Sequence, residues 1–423
     1  MIIDKNSDKL DVIKNRGNLL EGNYLKVATE IVEDVRKNGD EALFKYCIKF
    51  DNFNPKNSNL LVSEEEIDEA FNQVSKDLKI AIEKAKDNIL SFHQKQVEKT
   101  WLYENDGIIL GQKVLPLEKV GVYVPGGKAS YFSSVLMNVL PAVAAGVKDI
   151  SMCTPAINGK INPALLVAAK ISGVTRIFKI GGASAIAALA YGTESVCKVD
   201  KITGPGNIYV AMAKKIVFGT VDIDMIAGPS EILVIADKFA NPKFIAADML
   251  AQCEHDELAS AVCITDSKDL ALQIEIEVKR QLLELPKKDI AKVSLEKFSA
   301  IVVVDSIEEA CMLANDIAPE HLELYVESPM EKMSLIKNAG AIFLGGNSPE
   351  AVGDYFAGPN HVLPTGGSAR FFSPLGAYDF LKKSSIIYYD KKALKEDSKH
   401  IIEMAMSENL NAHANSIKYR VDN

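Results

Sequence analysis

From residue 120 to residue 344, short apolar segments alternate with helical ones, and no other feature of the chain restricts its fold as strongly. GVYVPGG is followed by an apolar helix, then DISMCTPA, helix NPALLVAAKISG, strand RIFKIGG and helix ASAIAALAYG. Strand VCKVDKITGPGN, helix IYVAMAKKIVFG and VDIDMIAGPS complete that run. A second run begins at EILVIAD, where Asn241 and Pro242 supply an N-cap and a first-turn proline for helix PKFIAADMLAQCEH. AVCITD, a long helix, SAIVVVD, a further helix, LELYV, another helix and AIFLGG follow. Strands regained through helices must lie parallel, with the helices on both faces of the sheet. The expected fold class is therefore α/β, with two doubly wound Rossmann-like modules, an N-terminal helical region and a helical C-terminal tail.

The expected divisions are an N-terminal arm over residues 1–19 and a discontinuous α/β module from residues 20–122 together with 230–370. A second Rossmann-like module spans residues 123–229 and a tail spans residues 371–423. The early helices, such as LVSEEEIDEAFNQV and DLKIAIEKAKDNILSFHQ, are expected to pack around the second alternating run, and GIILGQKVLPL reads as a strand pair. The tail from residue 382 reads as polar and helical, and no repeat of 20–50 residues is evident.

Composition narrows the function classes. At 423 residues, 48% hydrophobic and 25% charged, the chain is ordinary for a soluble globular protein, and its net charge of −9 argues against nucleic acid as a partner. The N-terminal MIIDKNSDKL carries charges throughout and has no apolar signal core. The longest apolar run, VLMNVLPAVAAGV, falls short of the roughly 20 residues of a membrane span and contains Asn138 and Pro141. Six scattered cysteines without a C-x-x-C pair suggest reduced thiols in a cytoplasmic protein, each most simply a small buried apolar residue.

In IAPEHLELYV, Glu320 and His321 stand where a helix ended by Pro319 gives way to a strand whose Leu322, Leu324 and Val326 face inward. Such a carboxylate and imidazole form either a structural hydrogen-bonded pair or a proton-transfer site. Gln252 and His255, three apart, project from one face of the helix expected there, with donors that suit a borderline divalent metal such as zinc. Asp248 on that face reads as a surface acid. In AIFLGGNSPEAVGDYFAGPNHVLPTGG, Ser348-Pro349 starts a short helix holding Asp354, and a tight turn presents His361. An acid and a histidine after a parallel strand match the usual location of α/β active sites. GVYVPGG and ITGPGN are glycine-rich turns after strands, yet neither is a G-x-G-x-x-G fingerprint or a P-loop.

Taken together, GVYVPGGKASYFSSVLMNVLPA, GGASAIAALAYGTE, KITGPGN, AGPSEILVIAD, AQCEHDE, PEHLEL and GDYFAGPNHVLPTGG resemble the histidinol dehydrogenase family. The resemblance runs in order through the whole chain and includes the C-terminal ENLNAHANSI. It implies a zinc-dependent homodimer that oxidises L-histidinol to L-histidine with NAD through a held aldehyde, in the last step of histidine biosynthesis. It also implies that Glu320 and His321 are the catalytic bases and that Gln252, His255, Asp354 and His413 hold the zinc. His413 would arrive from the other subunit's tail. Ser230, His361 and Glu408 would contact substrate beside the zinc ligands and His321, and Tyr123, Ser184 and Asn207 would contact NAD. Ser184 departs from the family's usual glutamine, and Ile226 stands where proline is common. His93 and His400 match nothing and read as surface residues. A zinc hydrolase, a dehydrogenase of another amino alcohol and a metal-stabilised structural dimer are the rival readings.

Overall fold

The computed structural model describes residues 1–15, 22–56, 59–126 and 131–422. Residues 127–130 of the glycine-rich turn, and the 19/20 boundary, lie outside the described residues. In chain order, β1 (Ile2–Asp4) and the helices α1 (Asp8–Asn15), α2 (Gly22–Asp51), α3 (Glu64–Gln73) and α4 (Lys76–Gln94) come first. The hairpin β2 (Trp101–Asn105) and β3 (Ile108–Pro116) follows. The first alternating run is β4 (Lys119–Tyr123), α5 (Phe132–Ala145), β5 (Asp149–Thr154), α6 (Pro163–Ser172), β6 (Arg176–Lys179), α7 (Gly182–Tyr191), β7 (Lys201–Thr203), α8 (Ile208–Val217) and β8 (Asp222–Ile223). The second run is β9 (Glu231–Ala236), α9 (Pro242–Cys253), β10 (Ser260–Thr265), α10 (Lys268–Leu282), α11 (Lys288–Phe298), β11 (Ala300–Val303), α12 (Ile307–Ile317), β12 (His321–Tyr325), α13 (Pro329–Lys332), β13 (Ala341–Leu344) and α14 (Glu350–Tyr355). Strand β14 (Leu381–Tyr389) and the helices α15 (Lys391–Ser407) and α16 (Asn411–Val421) close the chain.

The chain divides into two compact units. The first, Met1–Gln96 with Glu118–Phe380, holds two parallel sheets. One has five strands in the order β6-β5-β4-β7-β8, the other six in the order β1-β11-β10-β9-β12-β13. Apart from β1, the two orders are the same: each run starts at a central strand, winds outward, then returns to the other side of that strand. The doubly wound expectation holds for both runs. The reversals fall between β4 and β7 and between β9 and β12, where such folds open a crevice. Strand β9 is buried along its whole length, as a central strand covered on both faces must be. Asn241 caps α9 as expected, its Oδ1 accepting from the Lys243 N–H at 3.0 Å.

Four elements differ from the sequence expectation. Helix α2 packs on α7 and α8, and α3 and α4 pack on α5 and α6, so these helices cover the five-stranded sheet rather than the second run. An amphipathic stripe specifies that a face is buried but not against which partner. The arm forms a strand, β1, paired in parallel with β11, too short to show a period in sequence. GIILGQKVLPL contributes one long strand, β3, not two, and the tail opens as β14 before its helices. These strands form the second unit, Val97–Leu117 with Leu381–Asn423, in which β14, β3 and β2 make an antiparallel sheet and α15 packs on α16. Among the described residues no helix is long and apolar enough to cross a membrane.

Gly204, directly after β7, has φ +121°, and a Cβ there would lie 1.9 Å from the Tyr123 carbonyl oxygen. Gly219 has φ +96° with nothing within 4 Å of its Cβ position. Gly219→Ala therefore carries backbone strain of about 1–3 kcal/mol, whereas Gly204→Ala adds a backbone clash to that strain. Melting experiments should show a clearly larger loss for Gly204→Ala; equal losses would contradict the close approach of β4 and β7 at this turn.

Candidate active site

The catalytic candidates gather at the amino-terminal edge of the six-stranded sheet, not at the carboxyl edge favoured by the sequence reading. His321 opens β12 and Glu320 precedes it; Ser230 precedes β9, which begins at Glu231. Helices that follow parallel strands run back along the sheet, so α9 and α14 bring Gln252 and Asp354 to the same edge. Helix α9 ends at Cys253, so His255 lies just beyond it instead of on its face, with its N–H on the Gln252 carbonyl at 3.3 Å.

The backbone of Glu231 is the centre of the arrangement. Its N–H donates to the Glu320 carboxylate at 2.9 Å and, with the Gln252 amide turned to suit its neighbours, to the Gln252 oxygen at 2.7 Å. Its carbonyl lies 3.1 Å from His321 Nδ1. A carbonyl can only accept, so Nδ1 carries the proton and the lone pair of a neutral His321 sits on Nε2. That Nε2 is buried and has no hydrogen-bond partner among the described residues; the Asp354 carboxylate stands 3.8 Å away. Glu320 and Glu350 lie 3.8 and 3.7 Å from Nδ1.

Burial pushes Glu320 up to about 8 and Glu350 up to about 7, with His321 opposing both. Burial lowers His321, but Glu350, Glu320 and Asp354 together outweigh it and hold the imidazole well above its ordinary value. Burial likewise raises Asp354, and His321, His361 and His255 reverse the sign, leaving it below the ordinary carboxylate range. His361 donates from Nδ1 to the Asp354 carbonyl at 2.9 Å, with its Nε2 3.5 Å from the Ser134 hydroxyl of α5, so the first run reaches this site. A cavity of about 490 Å³ opens beside these groups, lined by His321, Asp354 and His361 and by the apolar Phe92, Phe343 and Leu375.

Ligating atoms of His255, Glu350 and Asp354 fall within 4.8 Å of one another. Imidazole nitrogen and carboxylate oxygens are donors that suit zinc, and the unpartnered His321 Nε2 points into the same space, so these residues fit a divalent ion. Glu350 went unread in the sequence because an acid in the first turn of a short helix looks like ordinary dipole matching. Glu408, at the end of α15, and His413, on α16, are exposed residues of the second unit.

The cofactor candidates meet at the other crevice, at the carboxyl edge of the five-stranded sheet. Tyr123 ends β4, and its hydroxyl accepts the Gly182 N–H at 3.0 Å at the start of α7. Ser184 spends its hydroxyl on the Gly181 carbonyl at 2.8 Å. Asn207 caps α8 by accepting from the Tyr209 and Val210 N–H groups at 3.1 and 3.2 Å. Lys214, paired with Asp224, donates to the Gly204 carbonyl at 3.0 Å and braces the turn between them.

Two further residues correct the sequence reading. His93 is fully buried rather than superficial, bonded through Nδ1 to Gln96 at 2.7 Å. Asp248 is no surface acid: it hydrogen-bonds the buried Glu323, which accepts the Glu350 N–H at 2.8 Å, and burial pushes Asp248 up to about 6. His400 is exposed, as read.

A doubly wound crevice in the same unit as a buried histidine ringed by carboxylates defines an α/β enzyme of the dehydrogenase class. A model of the histidinol dehydrogenase family matches residues 14–421. The histidinol dehydrogenase of Bacillus cereus is 54% identical over 415 residues, covering 98% of this chain and 96% of the relative. That of Aquifex aeolicus is 53% identical over 416 residues, covering 98% and 97%. The crystal structure of histidinol dehydrogenase from Elizabethkingia anophelis superposes with a TM-score of 0.94 at 40% identity, covering 100% of this chain and 97% of that one. The chain belongs to the histidinol dehydrogenase family.

The Asp248–Glu323 pair has a pH signature. The folded chain holds the Asp248 proton up to about pH 6, whereas the unfolded chain releases it near 3.9. The pair's contribution is therefore fully present below about pH 4 and is lost as pH rises through about 6. In Asp248→Asn the group that burial raises can no longer ionise. Between about pH 5 and 7 the variant's melting temperature should fall less than the parent's in chelator-treated buffer; parallel curves would exclude a shared proton.

Proposed function

We propose that this chain oxidises L-histidinol to L-histidine in two successive steps through histidinaldehyde, using NAD and a zinc ion, as the final step of histidine biosynthesis. The observation that carries the reading is His321 itself. Its tautomer is fixed by Glu231, and its free Nε2 is turned towards Asp354 beside the cavity. Tyr123, Ser184 and Asn207 would hold NAD at the crevice, and the cofactor would supply a hydride acceptor for each step. Gln252, His255, Asp354 and the partner subunit's His413 would hold zinc, which would supply a Lewis acid for orienting the substrate.

His321 removes the alcohol proton as the carbinol carbon loses its hydride, and the aldehyde forms. Three surrounding carboxylates raise the proton affinity of this imidazole, which suits it to that task. Glu320 then takes a proton from water, whose hydroxyl adds to the aldehyde carbon; a carboxylate pushed up to about 8 is a far stronger base than an ordinary one. His321 accepts a proton from the resulting hydrate as the second hydride leaves, giving the acid. Ser230, His361 and Glu408 position the substrate, with Asp354 holding the His361 loop through its carbonyl. The proposal includes a homodimer in which the tail completes the partner's site, and a cytoplasmic setting in which the six cysteines remain thiols.

The test mixes zinc-loaded protein with L-histidinol and NAD and follows NADH. The expected yield is two NADH per histidinol, lost on chelation and restored by zinc. His321→Asn should slow both oxidations by about 10²–10⁴-fold. Glu320→Gln should spare aldehyde formation while blocking its hydration. Equal loss of the first step in Glu320→Gln would overturn the division of roles. Turnover of an ester or amide without NAD would favour the hydrolase reading.

A further inference from the structure

A buried ion pair holds the turn between β7 and α8, and no step of the reaction uses it. Lys214 of α8 and Asp224, just after β8, meet with side chains only 3% and 1% exposed. Both side chains are directed at a single residue, Gly204. The Asp224 carboxylate accepts the Gly204 N–H at 2.8 Å, and the Lys214 ammonium donates to the Gly204 carbonyl at 3.0 Å. The Asp224 oxygen that meets Lys214 also accepts the Met225 N–H at 2.7 Å. Apolar residues of similar volume would fill this space without the cost of desolvating two charges. They would not supply both an acceptor and a donor for the polar groups of one buried residue.

Gly204 is a position where such control has consequences. Its φ is +121°, and a Cβ there would lie 1.9 Å from the Tyr123 carbonyl oxygen, so its backbone rests on the last residue of β4. Glycines impose little conformation of their own, and the turn carries a second at Gly206, whose Cβ position is 2.5 Å from Val210 of α8. The chain then reaches Asn207, the cap of α8. Gly204 thereby sets the spacing between Tyr123 and Asn207 across the reversal between β4 and β7. We propose that Lys214 and Asp224 are positioning residues for the dinucleotide. By clamping both polar groups of Gly204 they hold the turn and the start of α8 in the arrangement that receives NAD, without touching cofactor or substrate. This rests on the NAD-dependent reading of the crevice and names the groups that shape it.

The experiment titrates NADH into the full-length, zinc-loaded protein by its fluorescence, which needs no turnover, and measures steady-state kinetics with NAD and L-histidinol. It uses the parent, Lys214→Met, Asp224→Asn and the combined variant. The combined variant leaves no unpaired ion buried and keeps an acceptor for the Gly204 N–H, so it carries the test if a single variant does not fold. NADH affinity should weaken, and the KM for NAD rise, by at least about tenfold. The kcat and the KM for L-histidinol should be retained. Parent-like NADH affinity in the folded combined variant would overturn the proposal and leave the NAD-dependent reading intact. Loss of kcat and of both KM values together with the melting temperature would likewise overturn it, by showing a merely structural pair. Failure of the parent to bind NADH would overturn both.

Discussion

One peptide group organises the site. The N–H of Glu231 serves the Glu320 carboxylate and the Gln252 amide, and its carbonyl fixes the His321 ring. Glu231 is also the first residue of the buried central strand β9, which pairs with β10 on one side and β12 on the other. The side chains around it therefore inherit the rigidity of the sheet rather than that of a loop. Its own carboxylate accepts the Gly366 N–H at 2.7 Å, drawing the glycine-rich segment after His361 onto the same edge. Pre-organisation of this kind is what proton transfer needs, since a base must be held in its reacting tautomer before substrate arrives.

The edge concentrates negative charge. Glu231, Glu320, Glu323 and Glu350 are all buried there, close to the buried imidazole of His321. Burial is the main cause of the raised proton affinities of Glu320, Glu323 and Glu350, and neighbouring carboxylates add to it. The divalent ion proposed near His255 and Asp354 would relieve that repulsion. The crevice proposed for the dinucleotide is at the carboxyl edge of the other sheet, so on that proposal the two modules use opposite strand ends. Ser134 of α5, at 3.5 Å from His361, ties the two together.

Much of this was legible in the sequence, and what was not has physical reasons. The alternating runs, the Asn241 cap and the Pro319 stop depend on local chemistry, and each appears as expected. The shared strand order of the two sheets left no trace as a repeat, because strand order is set by crossovers and not by the residues within a strand. Glu320 and His321 stood out only as a pair at a helix–strand junction; the resemblance assigned them roles, and the structure added the tautomer. Glu350 and Asp248 were missed because an acid on a short or half-exposed helix looks solvated until a distant strand, here β12 with Glu323, covers it. His93 was misread for the same reason: the turn bearing Asn360, whose amide lies 3.5 Å from its Nε2, comes from far along the chain.

The site depends most on the metal proposed at the amino-terminal edge of the six-stranded sheet, within reach of His321. Anomalous diffraction at the zinc edge, from crystals of the zinc-loaded protein, tests it most directly. A single strong peak per chain is expected beside His255 and Asp354. A peak elsewhere, or none at that edge in fully loaded crystals, would contradict it.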